Sequence, residues 1–290
     1  MDSATLTAAR WWQHLLQVQQ QARVSGALVP LTTRSETLWD GALRFAVRVL
    51  LSPVTKPSSP VTKSAALATK SAPPSTNPFL PYEPALYVSD LLEQHVCLLN
   101  KYSVTDHHLL VVTKEYRSQD EPLQAMDFAA LDWCFVAAQQ LGWHALAFFN
   151  GGRVAGASQP HKHLQLLLWS PADPPLPLWD WLAADPGAWD RGGLQALPFE
   201  HQLVRYADRS AMAAYVSLRA QRNAAPYNLL WTRDWMLHVP RRAECFGNIS
   251  LNSLAFAGGL FVRSESQWQA LQEAGPLAAL QATTFSDKLR

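Results

Sequence analysis

The sequence has few cysteines, few charges and no long apolar run, and each shortage excludes a class of protein. Its three cysteines, Cys97, Cys134 and Cys245, lie far apart and form no Cys-x-x-Cys pair, so neither a disulfide framework nor a structural zinc site is indicated. No run of about 18 apolar residues is present, which argues against an ordinary membrane span. No basic stretch followed by an apolar one opens the chain, so no secretory signal is predicted and the cytoplasm is the expected location.

Charge is scarce as well. Charged residues make up 16% of the chain and the net charge is +1, without a basic block, which argues against nucleic acid as a partner. A small anionic ligand stays compatible with this balance, because a local site can be basic on a neutral protein. Apolar residues make up 48% of the 290 residues, which is enough for the core of one large domain or two modest ones.

The order of the predicted elements favours an α+β fold with a mixed, mainly antiparallel sheet and flanking helices. Strands and helices do not alternate one for one, as a doubly wound parallel sheet would require. The stretch 53–76, rich in Pro, Ser, Thr and Lys, is predicted to be a long surface loop. A Pro- and Trp-rich stretch predicts a linker at 176–193, between an N-terminal catalytic domain (1–175) and a C-terminal domain (194–290).

Helical periodicity is clearest in three segments. Residues 5–25 read as an amphipathic helix, residues 127–141 as a second helix ended by Gly142, and residues 267–285 as one final helix. The predicted core positions of the first helix are Trp11, Leu15, Leu16 and Val18.

The segment GASQPHKHLQLL, residues 156–167, carries the most specific polar pattern. Because side chains alternate along a strand, His161, His163 and Gln165 share one face, about 6.6–6.8 Å apart. The alternation alone leaves three interpretations open: a polar solvent face, a metal site, or a catalytic strand. Gln165 is a poor zinc ligand and no second cluster of His or Cys accompanies it, which counts against the metal site.

The residues just upstream favour catalysis. Gly156, Ala157, Ser158 and Gln159 form a predicted tight turn, whose backbone N–H groups and serine hydroxyl can bind phosphate oxygens. A neutral imidazole is a competent nucleophile near pH 7, and a covalent intermediate divides a difficult displacement into two easier steps. The pattern therefore suits nucleophilic catalysis at phosphorus, with the Gln165 amide holding a phosphate oxygen.

Several segments together resemble the ATP adenylyltransferase (diadenosine tetraphosphate phosphorylase) family of the histidine-triad superfamily. These segments follow the order of that family over most of residues 40–265: NPFLPYEP, LLNKYSVTDHHLLVVTKE, FFNGGRVAGASQPHKHLQ, YNLLWTRDWMLHVPR and NSLAFAGGLFVR. The resemblance implies a histidine-triad-like fold, with His163 as the nucleophile that carries AMP and His161 orienting or polarising the reacting groups. Gln165 stands where hydrolases of the superfamily have a third His, which implies nucleotidyl transfer over hydrolysis.

The resemblance also implies a set of nucleotide- and phosphate-binding residues. They are Lys56, Asn100, Lys101, Asn150, Gly156, Ala157, Ser158, Gln159, Asn252, Ser253, Leu254, Gly259 and Arg263. Lys63 and Lys70 compete with Lys56 for the lysine position. Two positions depart from the family pattern, because Arg263 replaces a common Lys and Gly259 replaces a common Met. The remaining histidines are interpreted as turn, surface or core residues: His14, His95, His107, His108, His144, His201 and His238.

The implied reaction is reversible phosphorolysis of diadenosine tetraphosphate to ATP and ADP through a histidine–AMP intermediate. No tightly bound cofactor and no resident metal is expected, and any Mg²⁺ would accompany the polyphosphate substrate. The expected partners are nucleotides and phosphate, without nucleic acid or membrane, and a monomer is favoured. Two alternatives stay open: a sugar-1-phosphate nucleotidylyltransferase of the same superfamily and a catalytically silent nucleotide-binding protein.

Overall fold

An eight-stranded antiparallel sheet is the main element of the computed structural model, which describes residues 7–51, 77–174, 176–206, 210–220 and 225–286. The thirteen strands of these ranges are β1 (Thr33–Asp40), β2 (Leu43–Leu50), β3 (Tyr87–Leu91), β4 (His95–Leu99), β5 (His108–Thr113), β6 (His144–Gly151), β7 (His163–Trp169), β8 (Gln202–Arg205), β9 (Tyr227–Trp231), β10 (Trp235–Pro240), β11 (Cys245–Phe246), β12 (Ile249–Ser250) and β13 (Gly259–Val262). The seven α-helices there are α1 (Ala8–Ser25), α2 (Ala125–Gln140), α3 (Pro177–Ala184), α4 (Ala188–Arg191), α5 (Ala211–Arg219), α6 (Glu265–Ala274) and α7 (Pro276–Ala282).

The large sheet has the strand order β3-β4-β5-β7-β6-β9-β10-β8, and every neighbouring pair in it is antiparallel. Its middle joins the two halves of the sequence, because β6 pairs with β9. A smaller sheet, β1-β2-β13, adds one parallel pair, β2 with β13. The predicted α+β fold with a mixed, mainly antiparallel sheet is confirmed.

Both faces of the large sheet are buried, and the strand that carries the His-x-His-x-Gln pattern shows how. Leu164 and Leu166 belong to a core beneath helices α1, α2 and α5, whereas Leu167 faces a second core that includes β2, β13 and α3. Full burial of one such leucine is worth about 1.5–3 kcal/mol, so a one-residue slip of this strand would be costly. His163 and Gln165 consequently lie on the same face as Leu167.

Two helix predictions need correction. Leu16 was predicted to be a core position of the first helix, but it is 40% exposed, because it lies off the buried face of α1, which carries Trp11, Leu15, Val18, Gln19 and Ala22. The predicted single final helix is two helices, α6 and α7. The break falls at Gly275, which has a φ of 84° and precedes a proline, so the helical hydrogen bonding cannot continue through it.

The stretch predicted as a linker contains α3 and α4, and Trp181 of α3 is buried against Phe45 of β2. The division of the chain into two domains stays a prediction. The predicted surface loop at 53–76, with Lys56, Lys63 and Lys70, lies outside the described residues. Across the described ranges no helix is both long and apolar enough to cross a membrane.

Candidate active site

His163 is the first residue of β7, and its imidazole has a defined tautomer. Nδ1 lies 2.8 Å from the carbonyl oxygen of His161. Since a carbonyl oxygen only accepts, Nδ1 carries the proton and Nε2 carries the lone pair. Nε2 has no hydrogen-bond partner among the described residues, so its lone pair is left for a ligand.

Burial keeps this imidazole neutral. His163 is 2% exposed, and the ring of Phe79 lies 5.4 Å from its own. Removal from water lowers the pKa of His163 to about 4, although its hydrogen bond to the His161 carbonyl opposes the shift. The ring is therefore neutral at pH 7, with Nε2 unprotonated.

The side chain of His161 is fully engaged with protein groups. Its Nδ1 accepts from Nδ2 of Asn77 at 3.0 Å, and its Nε2 donates to the carbonyl oxygens of Thr113 at 2.9 Å and Glu115 at 3.1 Å. His161 thus reaches His163 through its backbone carbonyl rather than its ring. This geometry favours the orienting role over direct contact with a phosphate.

Gln165 is oriented by a histidine that the sequence interpretation left aside. Nε2 of His108 donates to Oε1 of Gln165 at 2.8 Å, and Asn100 Nδ2 donates to Nδ1 of His108 at 3.2 Å. Burial lowers the pKa of His108 to about 4, so this ring is neutral too. With its oxygen engaged, Gln165 presents its NH₂ group as a donor.

His108 is a buried, hydrogen-bonded residue, within the interpretation given to it, and it also contacts the predicted site residue Gln165 directly. Only the pairing of β5 with β7 brings the two together, with His108 opposite Leu167 and Leu110 opposite Gln165. Strand register between distant segments leaves no signal in a single sequence. Asn100, in contrast, was predicted and does lie near this group.

Asn150, at the end of β6, is held by groups from the C-terminal half. Its Oδ1 accepts from Asn228 Nδ2 at 2.9 Å and from the Ser253 backbone N–H and hydroxyl at 2.9 and 2.7 Å. Its Nδ2 has no hydrogen-bond partner within the described ranges. Asn150 and Ser253 were both predicted site residues, and the structure brings them together, whereas Asn228 was missed.

Two of the four backbone N–H groups of the predicted phosphate turn donate to nearby carbonyl groups of the protein. The N–H of Gly156 donates to the Arg153 carbonyl at 2.9 Å, and that of Ala157 donates to the Gly152 carbonyl at 3.2 Å. The N–H groups of Ser158 and Gln159 have no partner among the residues described, and Ser158 is exposed. These two amides and the serine hydroxyl are the donors available to an anion.

Gly156 joins this turn to the C-terminal half. Its φ is 87°, and a Cβ added there would lie 2.5 Å from the carbonyl oxygen of Leu251 and 3.0 Å from the Cα of Asn252. Only glycine fits such an approach. Asn252 caps the following turn, where its Oδ1 accepts from the N–H of Leu254 at 3.0 Å.

Three other predicted residues are not among the described hydrogen-bond partners of the group around His163. Lys101 pairs with Glu83 at 2.7 Å, beside the stacked rings of Tyr82 and Tyr87. Gly259 begins β13 in the small sheet, and Arg263 is an exposed residue beyond its end. Within the described part of the chain no hydrogen bond links any of these three to His163, Gln165 or Asn150.

Comparison with known proteins bears directly on this arrangement. The sequence profile of the Ap4A (diadenosine tetraphosphate) phosphorylase N-terminal domain matches residues 1–184, and that of the ATP adenylyltransferase C-terminal domain matches residues 195–286. The chain belongs to the Ap4A phosphorylase family. The resemblance noted in the sequence is confirmed.

A curated relative within the Ap4A phosphorylase family is diadenosine 5',5'''-P1,P4-tetraphosphate phosphorylase 2 of Saccharomyces cerevisiae. It is 26% identical over 236 residues, which cover 68% of this chain and 72% of the relative. Crystal structures of yeast Ap4A phosphorylase Apa2 in complex with AMP and with Ap4A each give a TM-score of 0.74 at 22% identity. The AMP complex covers 96% of this chain and 98% of the yeast chain, so the whole fold is shared.

Proposed function

We propose that this chain is a nucleotidyltransferase that cleaves diadenosine tetraphosphate with phosphate to ATP and ADP, reversibly, through AMP bound covalently to His163. The observation that carries the proposal is the His163 ring, with its proton fixed on Nδ1 by the His161 carbonyl and its Nε2 left unpartnered among the described residues. Family membership and the ligands named for the yeast Apa2 structures, AMP and Ap4A, support the choice of substrate.

In the first step the lone pair of Nε2 attacks the α-phosphorus of the dinucleotide. A P–N bond forms while the bond to the bridging oxygen breaks, and its electrons leave with ATP. The ring gains positive charge in this step, and the Nδ1–H···O=C bond to His161 stabilises that charge. No proton has to move, because Nε2 is already unprotonated.

The non-bridging oxygens of the reacting phosphorus need donors that are in place beforehand. The site offers the NH₂ groups of Gln165 and Asn150, whose oxygens are held by His108 and by Asn228 with Ser253. The amides of Ser158 and Gln159 add two more. Because both side-chain amides are fixed by these bonds, they stabilise developing charge with little reorganisation.

In the second step a phosphate oxygen attacks the same phosphorus. The P–N bond breaks, ADP leaves, and His163 recovers its neutral form. Donors that bind anions beside the reacting phosphorus favour inorganic phosphate over water as the acceptor of AMP. This role is proposed for the exposed turn at Ser158 and for a lysine of the 53–76 stretch. Mg²⁺ enters this scheme only as an ion bound to the polyphosphate substrate.

Radiolabelled inorganic phosphate tests this function, because the proposed reaction transfers it into one product only. The protein is incubated with diadenosine tetraphosphate and radiolabelled phosphate, and the label is expected in ADP and not in ATP. Acid-labile AMP should be found on the protein when phosphate is omitted. Unlabelled ADP together with an absence of protein-bound AMP would contradict the proposal, while formation of a nucleotide sugar from a hexose 1-phosphate would favour the sugar-1-phosphate alternative.

The acidity of His163 gives a prediction about pH. Because its pKa is lowered to about 4 and the neutral ring is the reactive form, the rate of AMP loading should stay level from pH 7 down to about pH 5 and fall only below that. If His163 had the usual histidine pKa of about 6.5, the rate of AMP loading would already fall below about pH 6.5. Single-turnover loading from diadenosine tetraphosphate measures this, with tryptophan fluorescence confirming that the fold persists at each pH.

A further inference from the structure

The side chain of Gln119 occupies the gap between strands β6 and β7 at the nucleophile. These strands pair from His144 opposite Trp169 to Phe148 opposite Gln165, and the pairing ends there. Continued in the same register, the pairing would place Phe149 opposite Leu164 and then Asn150 opposite His163. The structure instead inserts a buried amide, with Gln119 only 2% exposed.

Gln119 makes the hydrogen bonds that a neighbouring strand would otherwise make. Its Oε1 accepts from the backbone N–H of His163 at 2.8 Å. Its Nε2 donates to the carbonyl oxygens of Asn150 at 2.9 Å and His163 at 3.2 Å. One neutral amide thus satisfies three backbone groups at the first residue of β7 and the end of β6.

The backbone around Gln119 is itself fixed to the segment that precedes the nucleophile. The N–H of Gln119 donates to the Pro160 carbonyl at 2.8 Å, and the N–H of Lys162 donates to the Arg117 carbonyl at 2.8 Å. Ser118 forms a β-bridge with His161. The Gln119 side chain therefore projects from a short segment that is paired with residues 160–162, and this pairing restrains it within the gap.

Only a group that both donates and accepts suits this position. A carboxylate would direct negative charge at two carbonyl oxygens, and an apolar side chain would leave three buried backbone groups without partners. Because this amide bridges the two strands, they need not approach to the about 4.8 Å spacing of directly paired strands. The gap lies at Asn150 and His163, where the reacting phosphate would lie.

We propose that Gln119 is a positioning residue for nucleotidyl transfer: by standing between β6 and β7 it fixes the backbone of His163 and sets the width of the phosphate site. The proposal rests on the function proposed above. Gln119 does not touch substrate in this scheme. It acts through His163 and Asn150, and it closes the sheet beneath the nucleophile against water.

The experiment compares Gln119→Glu, which keeps the shape, and Gln119→Met, which keeps the length without hydrogen bonds. Gln140→Glu is the matched control, because Gln140 is exposed at the end of α2. Both Gln119 variants should load AMP from diadenosine tetraphosphate about 10²-fold more slowly, the cost of a misplaced nucleophile, with AMP affinity nearly unchanged. The control should match the wild type.

A second readout does not depend on any nucleotide. The pKa of His163, followed by NMR of its ring, should rise by about one unit or more in both Gln119 variants, since water or a new carboxylate then reaches the ring. Wild-type loading and an unchanged pKa would overturn the proposal, and so would failure of both variants to fold, which would show a purely structural role. If the wild type loads no AMP, the proposed function fails, while the ring pKa still decides the role of Gln119.

Discussion

Replacement of His163 by alanine is expected to lower kcat/KM for phosphorolysis of diadenosine tetraphosphate by about 10⁴-fold or more, the range typical for loss of the nucleophile in covalent catalysis. The structure gives the reason, because the ring that supplies Nε2 has no substitute nearby. His161 and His108 point their ring nitrogens into bonds with Asn77, two carbonyl groups, Asn100 and Gln165. Neither has a free nitrogen in position to take over.

The measurement is a steady-state assay combined with recovery of acid-labile AMP on the protein. His14→Ala is the matched control, since His14 is an exposed residue of α1 far along the chain from the site. AMP should be absent from the His163→Ala protein and present on the control. Turnover by His163→Ala within tenfold of the wild type would show that the reaction does not pass through this histidine.

Replacement of Arg241 by methionine is expected to lower the free energy of unfolding by about 3–5 kcal/mol, the usual cost of removing one member of a buried polar network. Arg241 is fully buried at the end of β10. Burial lowers the pKa of its guanidinium to about 10, so it remains a cation at pH 7. Methionine fills much of the same volume, so the loss reports the hydrogen bonds rather than a cavity.

The guanidinium connects β9 with the segments beside β11 and β12 and with the residue that follows α7. It donates to the side chain of Asn228 and to these carbonyl oxygens: Leu251 at 3.1 Å, Ala243 at 2.8 Å, Glu244 at 3.2 Å and Thr283 at 3.2 Å. Asn228 in turn holds Asn150. Loss of the arginine should therefore also raise KM for the dinucleotide, because Asn150 is no longer held in one orientation.

Urea denaturation of Arg241→Met and Arg242→Met separates the network from a general effect of charge removal. Arg242 is the exposed neighbour, and its side chain makes one hydrogen bond to the residues that the structure describes, to the Ala282 carbonyl at 3.2 Å. Its replacement should cost less than about 1 kcal/mol, as for surface sites generally. Equal destabilisation by the two variants would contradict the role assigned to Arg241.

Local periodicity predicted the elements well where a helix or strand is set by its own residues. Trp11, Leu15 and Val18 do lie in the core. The prediction for Leu16 was wrong, because this residue lies off the face of α1 that the tertiary structure buries. The prediction of one final helix was wrong, because Gly275 and Pro276 interrupt the helical hydrogen bonding although the apolar periodicity continues on both sides of them.

The sequence by itself determined that His163 and Gln165 share a strand face close behind a glycine-containing turn, because alternation and turn formation are local properties of the chain, whereas His161 lies just before the strand. Only the tertiary structure decided what holds these groups. His108, Gln119, Asn228 and Arg241 reach the site from other segments through strand register and packing, which depend on contacts between residues far apart in sequence. The reactive state of His163 is likewise a tertiary property, since burial by those segments lowers its pKa to about 4.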